Sequence, residues 1–199
     1  RKNVHDNSKA VRLGNINKET QYVLNYLNME APELVEKIEE GQKVIMVDHN
    51  EFGQSIEGIE KAKIIGVVDH HRIANIETAE PLYYTARPYG CTSTILFQDF
   101  KGKGLEINKE EAILMASAII SDTLLLKSPT TTDEDRNAVK ELAEIAGIDP
   151  EVYGLDMLKA GTDLSSFTID EILHLDAKKI DFKEVKSLVN QVNTASIPE

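Results

Sequence analysis

The chain has 199 residues, 41% hydrophobic and 28% charged, which is the composition of an ordinary soluble globular domain. Its net charge of −12 argues against nucleic acid as a partner, because Lys and Arg supply most of the affinity for phosphate backbones. It shows no signal peptide and no apolar run long enough to cross a bilayer, and its single Cys91 excludes an internal disulfide. We therefore expect a cytoplasmic protein without a membrane partner. A small phosphate ester or anhydride stays open as a ligand, because bound divalent cations would reverse the local charge.

The first forty residues predict one short strand and two short helices. Residues 10–13 are typical of a strand. Asn17 can cap a helix over residues 18–27, since its side chain can accept a hydrogen bond from the first helical turn. Pro32 is expected to open a second helix, with Leu34 on its inward face.

Two β-branched runs with a predicted helix between them indicate a parallel sheet. Residues 43–47 and 64–68 are predicted strands, and residues 54–63 are the predicted helix. A strand, a helix and a strand within so short a span form a βαβ unit, in which the two strands run parallel. Residues 81–84 suggest a further strand, at an edge. The predicted fold class is α/β, a parallel sheet flanked by helices.

The second half of the chain is predicted to be mostly helical. Asn108 with Glu111 forms a capping-box start, and Gly147 is a typical helix stop. The predicted helices cover residues 92–100, 108–122 and 132–146, with others starting at 149–150 and 168, while residues 178–182 are predicted to be extended.

Three apolar segments end in residues that bind metals. The runs before Asp48, Asp69 and Asp122 stop at a carboxylate, and Asp69 is followed by His70 and His71. Open α/β sheets bind ligands at the carboxyl ends of their strands, so this repetition predicts a metal site there. Adjacent strand residues point to opposite faces, so one histidine could coordinate a metal while the other faces substrate.

Carboxylates with imidazole suit Mn²⁺ or Mg²⁺ better than a thiolate-bound zinc. Two such ions can activate a bridging water and hold both oxygens of an in-line phosphoryl displacement. Asp48 is the candidate for the carboxylate that bridges the two ions. Cations for the phosphoryl group could come from Lys127, Lys159 or Lys178, which lie in apolar or tight surroundings in the sequence.

These segments together resemble one known family over nearly the whole chain. Val47-Asp48-His49-Asn50-Glu51 and the text from Val68 to Asn75 resemble the family II inorganic pyrophosphatases, manganese-dependent members of the DHH phosphoesterase superfamily. The similarity continues through residues 90–92, 118–122, 127–130, 153–161, 175–178 and 191–194. The Asp-His-His triplet alone is shared with RecJ-type exonucleases and oligonucleotide phosphatases, so the later segments make the resemblance specific.

The resemblance implies a role for each matching residue. Asp48 would bridge two Mn²⁺ ions, for which Mg²⁺ or Co²⁺ could substitute, and His70 and Asp122 would bind the second ion. Asp69 would orient the histidines from behind. Two residues, His71 and Lys178, would bind substrate and serve in catalysis. The nucleophile would be a hydroxide between the metals, and the reaction would convert pyrophosphate to two phosphates.

Two features of the family have no match in this sequence. The family opens with a strand ending in His-x-Asn-Pro-Asp-x-Asp, and it carries a second, DHHA2-type domain with a Ser-Arg-Lys-Lys motif. We therefore expect residues 1–182 to form a DHH domain without its first strand, and residues 183–199 to be a linker or the start of the second domain. The 199-residue chain alone is expected to show little activity and to aggregate. A homodimer is left open.

Two alternatives accompany the pyrophosphatase hypothesis. One is a catalytically silent fragment that binds metal or phosphate. The other is a DHH phosphoesterase acting on short oligonucleotides, against which the acidic charge and the segments around Lys127 and Lys159 argue.

Overall fold

The computed structural model describes residues 8–163, 168–174, 178–182 and 185–189. The strands in the first half of the chain pair in parallel. The strands are β1 (Val11–Arg12), β2 (Glu33–Leu34), β3 (Lys43–Val47), β4 (Lys63–Asp69), β5 (Tyr83–Ala86), β6 (Lys178–Phe182) and β7 (Val185–Val189). Strands β1 and β2 pair in parallel, β3, β4 and β5 form a parallel sheet in that order, and β6 and β7 pair antiparallel. The predicted α/β fold with a parallel sheet is confirmed, and β5 lies at its edge.

The helices begin and end close to the positions that the capping signals predict. They are α1 (Lys18–Leu27), α2 (Thr92–Gly102), α3 (Lys109–Asp122), α4 (Asp133–Ala146), α5 (Pro150–Gly161) and α6 (Ile169–His174). Asn17 accepts a hydrogen bond from the Thr20 amide, Asn108 and Glu111 form the predicted capping box, and Gly147 ends α4 with a φ of 67°. Within the described residues, no helix has both the length and the apolar character needed to cross a membrane.

The prediction of a helix over residues 54–63 is wrong. The chain forms two short 3₁₀ turns there, Phe52–Gln54 and Ile59–Lys61. Between them Gly58 has a φ of 88°, which an α-helix cannot accommodate, and a Cβ at this position would lie 2.8 Å from the Ile38 carbonyl oxygen. The positive φ of Gly58 and its close approach to Ile38 explain why the predicted α-helix does not form here.

The short helix predicted after Pro32 is also wrong. Glu33–Leu34 is strand β2, which pairs with β1, and the Pro32 carbonyl accepts a hydrogen bond from the Arg12 guanidinium at 3.0 Å. Leu34 is exposed instead of facing inward. The fixed φ of proline fits an extended backbone as well as a first helical turn, so the sequence signal was ambiguous.

Helix α3 is the centre of the main core. Its buried residues pack between α1, α2, α4 and α5, and they are apolar around most of its circumference. The buried apolar residues of α3 are Ala112, Ile113, Met115, Ala116, Ile119 and Ile120. A smaller core lies at the sheet and contains Met46, Ile59, Ile64 and Val67. Because Asp122 is the last residue of α3, the main core fixes the position of that carboxylate.

A left-handed turn follows α3 directly. Leu124, Leu125 and Leu126 have φ values of 48°, 55° and 60°, and this conformation costs an L-residue roughly 1–2 kcal/mol. The Leu125 amide donates to the Ile120 carbonyl at 2.8 Å, and the Leu126 amide donates to the buried Thr123 hydroxyl at 3.1 Å. These bonds hold a strained segment in place beside the end of α3.

The predicted division at residues 182 and 183 stays a prediction. Strand β7, which falls in the segment predicted to be a linker, pairs with β6, which falls in the predicted domain.

The packing of α5 against α3 predicts the effect of a small substitution. A Cβ at Gly154 would lie 2.6 Å from Leu125 Cδ1 and 2.9 Å from Ile120 Cγ2. We expect Gly154→Ala to lower the free energy of unfolding by about 1–3 kcal/mol, although alanine favours helices, because the added methyl group overpacks the contact. Urea unfolding would measure this. Gly102→Ala, at the end of α2 with no atom within 4 Å of the new Cβ, is the matched control and should not lose stability.

Candidate metal centre

Strands β3 and β4 end side by side, which brings their terminal carboxylates to one edge of the sheet. Val47 pairs with Val68 in parallel register, and the Asp48 amide donates to the Val68 carbonyl at 3.0 Å. Asp48 then leaves the strand with a φ of 65°, in a region that few residues other than glycine adopt. The chain therefore turns at Asp48 itself, while Asp69 closes the neighbouring strand.

His70 and His71 lie beside each other beyond the end of β4. Their ring centroids are 4.2 Å apart, so the prediction that they point to opposite faces is wrong. Strand β4 ends at Asp69, and the alternation of a strand no longer applies to the two residues that follow. The histidines differ instead in exposure, which is 15% for the side chain of His70 and 54% for that of His71.

The ligand atoms of Asp48, His70 and His71 form one cluster, in which all of them lie within 4.8 Å of one another. His70 Nε2 is 3.6 Å from Asp48 Oδ1. Its Nδ1 is 2.9 Å from the Tyr89 carbonyl oxygen, which can only accept a hydrogen bond. Nδ1 therefore carries a hydrogen, and Nε2 is the ring nitrogen that faces the cluster, where a neutral imidazole would present the lone pair that binds a metal.

Asp69 lies behind the histidines as a fully buried carboxylate. Oδ1 accepts hydrogen bonds from the His71 amide at 3.1 Å and from His71 Nδ1 at 2.8 Å, and Oδ2 accepts one from Asn50 Nδ2 at 2.6 Å. Burial alone would raise the pKa of Asp69, but these hydrogen bonds lower it below its ordinary value. Asp69 thus fixes His71, whereas His70 is held by the Tyr89 carbonyl.

Asp122 lies on the same cavity as Asp48. The cavity has a volume of about 440 Å³, and its walls also include Glu19 and Cys91. Thr92 Oγ1 donates to Asp48 Oδ1 at 2.7 Å, and burial followed by the nearby Asp122 carboxylate raises the pKa of the Cys91 thiol. The structure thus brings together Asp48 and Asp122, which are far apart in the sequence, at the edge where the two histidines lie.

Among the described side chains of this site, the carboxylates outnumber the cationic groups. Asp122 is exposed as a residue, but its carboxyl group lies in a recess, and desolvation followed by the charge of Asp48 raises its pKa, despite the opposing effect of Cys91. Burial disfavours the charged form of His71, yet the hydrogen bond to Asp69 and the charges of Asp48 and Asp122 raise its pKa. A bound cation would relieve this excess of negative charge.

The three candidate lysines do not form part of this cluster as the structure describes it. Lys127, after the left-handed turn, and Lys159, in α5, are exposed residues. For Lys178 the structure describes the backbone, as the first residue of β6, and its side chain lies outside the described part. The predicted roles of Lys178 and His71 in catalysis stay predictions.

Two residues of the site were missed by the sequence reasoning. Asn50 is 2% exposed; it donates to the Arg72 carbonyl at 2.9 Å and accepts from the Ala74 amide at 2.7 Å, which ties the segment after the histidines to the end of β3. Its place directly after Asp48 and His49 was a usable signal. Tyr89 contributes only a backbone carbonyl, which no side-chain pattern reveals.

A family model for the N-terminal domain of the DHH family matches residues 9–119, more than half of the chain. The chain belongs to the DHH family. This DHH chain is 57% identical over 194 residues to the manganese-dependent inorganic pyrophosphatase of Bacillus subtilis, which covers 97% of this chain and 63% of the relative. It also matches a Methanococcus jannaschii protein described as a family II inorganic pyrophosphatase, with a TM-score of 0.79, 39% identity, and coverage of 94% of this chain and 63% of that one. The DHH chain thus spans less than two thirds of the length of these relatives.

The contact between Asn50 and Asp69 predicts that the substitution Asn50→Asp reverses the pH dependence of folding stability. Because the folded state lowers the pKa of Asp69, its stabilising contribution is present above its ordinary pKa and is lost as the pH falls through the lowered value. In Asn50→Asp, two buried carboxylates would face each other, and the pKa of one would rise above its value in the unfolded chain. This variant should lose stability as the pH rises, by about 3–5 kcal/mol relative to the native chain at about pH 7.

Urea unfolding of both chains between about pH 4 and about pH 8 measures the effect. Asn50→Ala is the control, because it removes the same hydrogen bonds without adding a charge. Its loss in free energy of unfolding, relative to the native chain, should change less with pH. Parallel pH curves for the two variants would contradict the assignment.

Proposed function

We propose that this chain holds the divalent cations of an inorganic pyrophosphatase that hydrolyses pyrophosphate to two phosphates. The observation that carries the proposal is the cluster of Asp48, His70 and His71, with Asp122 on the same cavity, at the carboxyl edge of a parallel sheet. The high identity to a manganese-dependent inorganic pyrophosphatase supports pyrophosphate as the substrate and Mn²⁺ as the ion. A cytoplasmic location, a homodimer and the exclusion of nucleic acid as a partner stay predictions.

The donor set fits hard divalent cations. Asp48 would bridge two ions, and His70 and Asp122 would bind the second of them, with Mn²⁺ preferred and Mg²⁺ or Co²⁺ as substitutes. The raised pKa of Asp122 and the position of His70 Nε2 beside Asp48 support this assignment. A bound cation would stabilise the ionised form of Asp122 and could be coordinated by His70 Nε2. When bound, the two ions lower the pKa of a water and hold the phosphate oxygens.

His71 would bind the substrate. Asp69 accepts its Nδ1 hydrogen and fixes the ring, so Nε2 would meet a phosphate oxygen bound at the cluster of Asp48, His70 and His71. Its raised pKa favours the protonated form, which donates a hydrogen bond and stabilises the negative charge that develops during hydrolysis. Lys178 would supply a further cation to the same phosphate. The position of His71 within the cluster also allows a role as a direct ligand, which the next experiment separates.

Substitutions of the two histidines should have different effects. We expect His70→Ala to weaken Mn²⁺ binding by at least about tenfold, because it removes a ligand. His71→Gln should leave Mn²⁺ binding nearly unchanged and lower the turnover of pyrophosphate, because the lost interaction is strongest in the transition state. Calorimetric titration of Mn²⁺ into the 199-residue chain measures the first effect. Phosphate release with Mn²⁺, in a chain completed to the length of its relatives, measures the second.

The control for both histidines is His49→Gln. His49 lies between Asp48 and Asn50, is half-buried, and its Nδ1 contacts only the Val47 carbonyl in the described structure, at 3.0 Å. This variant should keep both Mn²⁺ binding and turnover. Equal losses of Mn²⁺ affinity in His70→Ala and His71→Gln would show that both histidines are ligands. Absence of phosphate release from the completed native chain would overturn the proposed function.

A further inference from the structure

Asp135 is a buried carboxylate in the first turn of α4 that the proposed function does not use. Its Oδ2 accepts hydrogen bonds from the Gly90 amide at 2.8 Å, the Thr132 amide at 2.7 Å and the Thr132 hydroxyl at 2.7 Å. Its Oδ1 accepts one from the Thr94 hydroxyl at 2.5 Å. Burial would raise the pKa of Asp135, but these hydrogen bonds lower it, so the group stays ionised. A cap for α4 needs only the two bonds to Thr132.

The bond to Gly90 connects Asp135 to the metal centre through one peptide group. The amide of Gly90 and the carbonyl of Tyr89 belong to the same peptide unit, which is planar and rigid. The amide side of this unit donates to Asp135, and the carbonyl side accepts from His70 Nδ1 at 2.9 Å. A negative charge at the amide side increases the electron density on the carbonyl oxygen, since hydrogen bonds in a chain polarise one another.

Close packing fixes this peptide group as well. A Cβ at Gly90 would lie 2.7 Å from Asp135 Oδ2 and 2.8 Å from Thr123 Cγ2. The backbone at Gly90 is therefore held between Asp135 and the residue that follows Asp122. A side chain at this position would displace the peptide from the carboxylate.

The bond to Thr94 connects Asp135 to Asp48 by a second route. Thr94 lies in the first turn of α2, two residues after Thr92, whose hydroxyl donates to Asp48 Oδ1 at 2.7 Å. Asp135 thus fixes the start of the helix that positions the Asp48 carboxylate. One buried carboxylate is linked to two of the candidate metal ligands, one through a peptide group and the other through a helix turn.

We propose that Asp135 is a positioning residue for the metal centre: it orients the peptide between Tyr89 and Gly90, which holds His70 with its hydrogen on Nδ1 and its Nε2 lone pair toward Asp48. The inference rests on the proposed function, because it assigns a use to Nε2 as a metal ligand. The alternative is a role confined to the capping of α4, which would affect stability alone.

Two variants separate these roles. Asp135→Ala removes all four hydrogen bonds. Asp135→Asn keeps the shape and an oxygen that can accept from Gly90, while its NH₂ group can donate to the Thr94 hydroxyl, but it removes the charge. The matched control is Asp149→Ala, which removes the N-cap bonds of α5 to the amides of Glu151 and Val152 away from the metal centre.

The measurements are urea unfolding, calorimetric titration with Mn²⁺ alone, and ¹⁵N NMR of the His70 ring and the Gly90 amide in the metal-free chain. We expect Asp135→Ala to weaken Mn²⁺ binding by about 10–100-fold and Asp135→Asn by less, as for other groups that orient a ligand. In both variants the Gly90 amide proton should move upfield, and the His70 Nδ1–H population should fall. Asp149→Ala should lose stability with native Mn²⁺ affinity and a native His70 spectrum.

The proposal is overturned if folded Asp135→Ala keeps native Mn²⁺ affinity and native His70 nitrogen shifts. If Asp135→Ala does not fold, Asp135→Asn decides through the same spectra, and unchanged Gly90 and His70 signals overturn the proposal. Failure of the proposed function looks different. In that case the native chain would bind no Mn²⁺, while the spectra of the metal-free variants would still report whether Asp135 orients His70.

Discussion

The parallel pairing of β3 with β4 is the constraint on which the metal centre depends. Because Val47 and Val68 are register partners, both strands stop at the same edge, and the residues that follow them must share one small volume. Asp48 and His70 come within 3.6 Å of each other for this reason, although 21 residues separate them in the sequence. Helix α3 then completes the arrangement, since its apolar packing against four other helices ends at Asp122.

The buried or partly buried carboxylates of this region differ in how far the protein satisfies them. Asp69 and Asp135 are fully buried, accept several hydrogen bonds, and have lowered pKa values. Asp122 has a raised pKa, because desolvation and the charge of Asp48 outweigh the thiol of Cys91. Carboxylates that hold the structure are thus supplied with donors by the fold, whereas the carboxylate at the cavity is left short of them. For Asp122, this difference supports its assignment as a candidate ligand.

The sequence predicted the parallel sheet, because β-branched runs that end in ligand residues constrain it. The structure places Asp48 and His70 at the edge of that sheet and Asp122, at the end of a helix, on the same cavity as Asp48; their shared role as metal ligands stays a prediction. The sequence also predicted most helix boundaries, since the capping residues act locally. It failed at Gly58, where a close approach between segments prevents a helix, and at His71, where the strand had already ended. These outcomes depend on tertiary contacts that local patterns do not contain.

The links through Tyr89 and Gly90 could not be read from the sequence for a different reason. A backbone carbonyl and a backbone amide are present at almost every position, so their use at one position leaves no mark on side-chain types. Asp135 was visible only as a residue near a helix start. Its bond to Gly90, 45 positions earlier, exists only in the folded chain.

The left-handed turn at Leu124–Leu126 has a consequence for the dynamics of the centre. Strain in the folded state is released when a segment opens, so local opening of this turn costs less free energy than opening of the unstrained helix before it. Leu124 is 56% exposed and contributes little buried surface to keep the turn closed. Amide hydrogen exchange should therefore be faster at these three leucines than in the middle of α3. An ion held by the adjacent Asp122 would slow that exchange. The exchange rate of these three amides would therefore report whether the metal site is occupied.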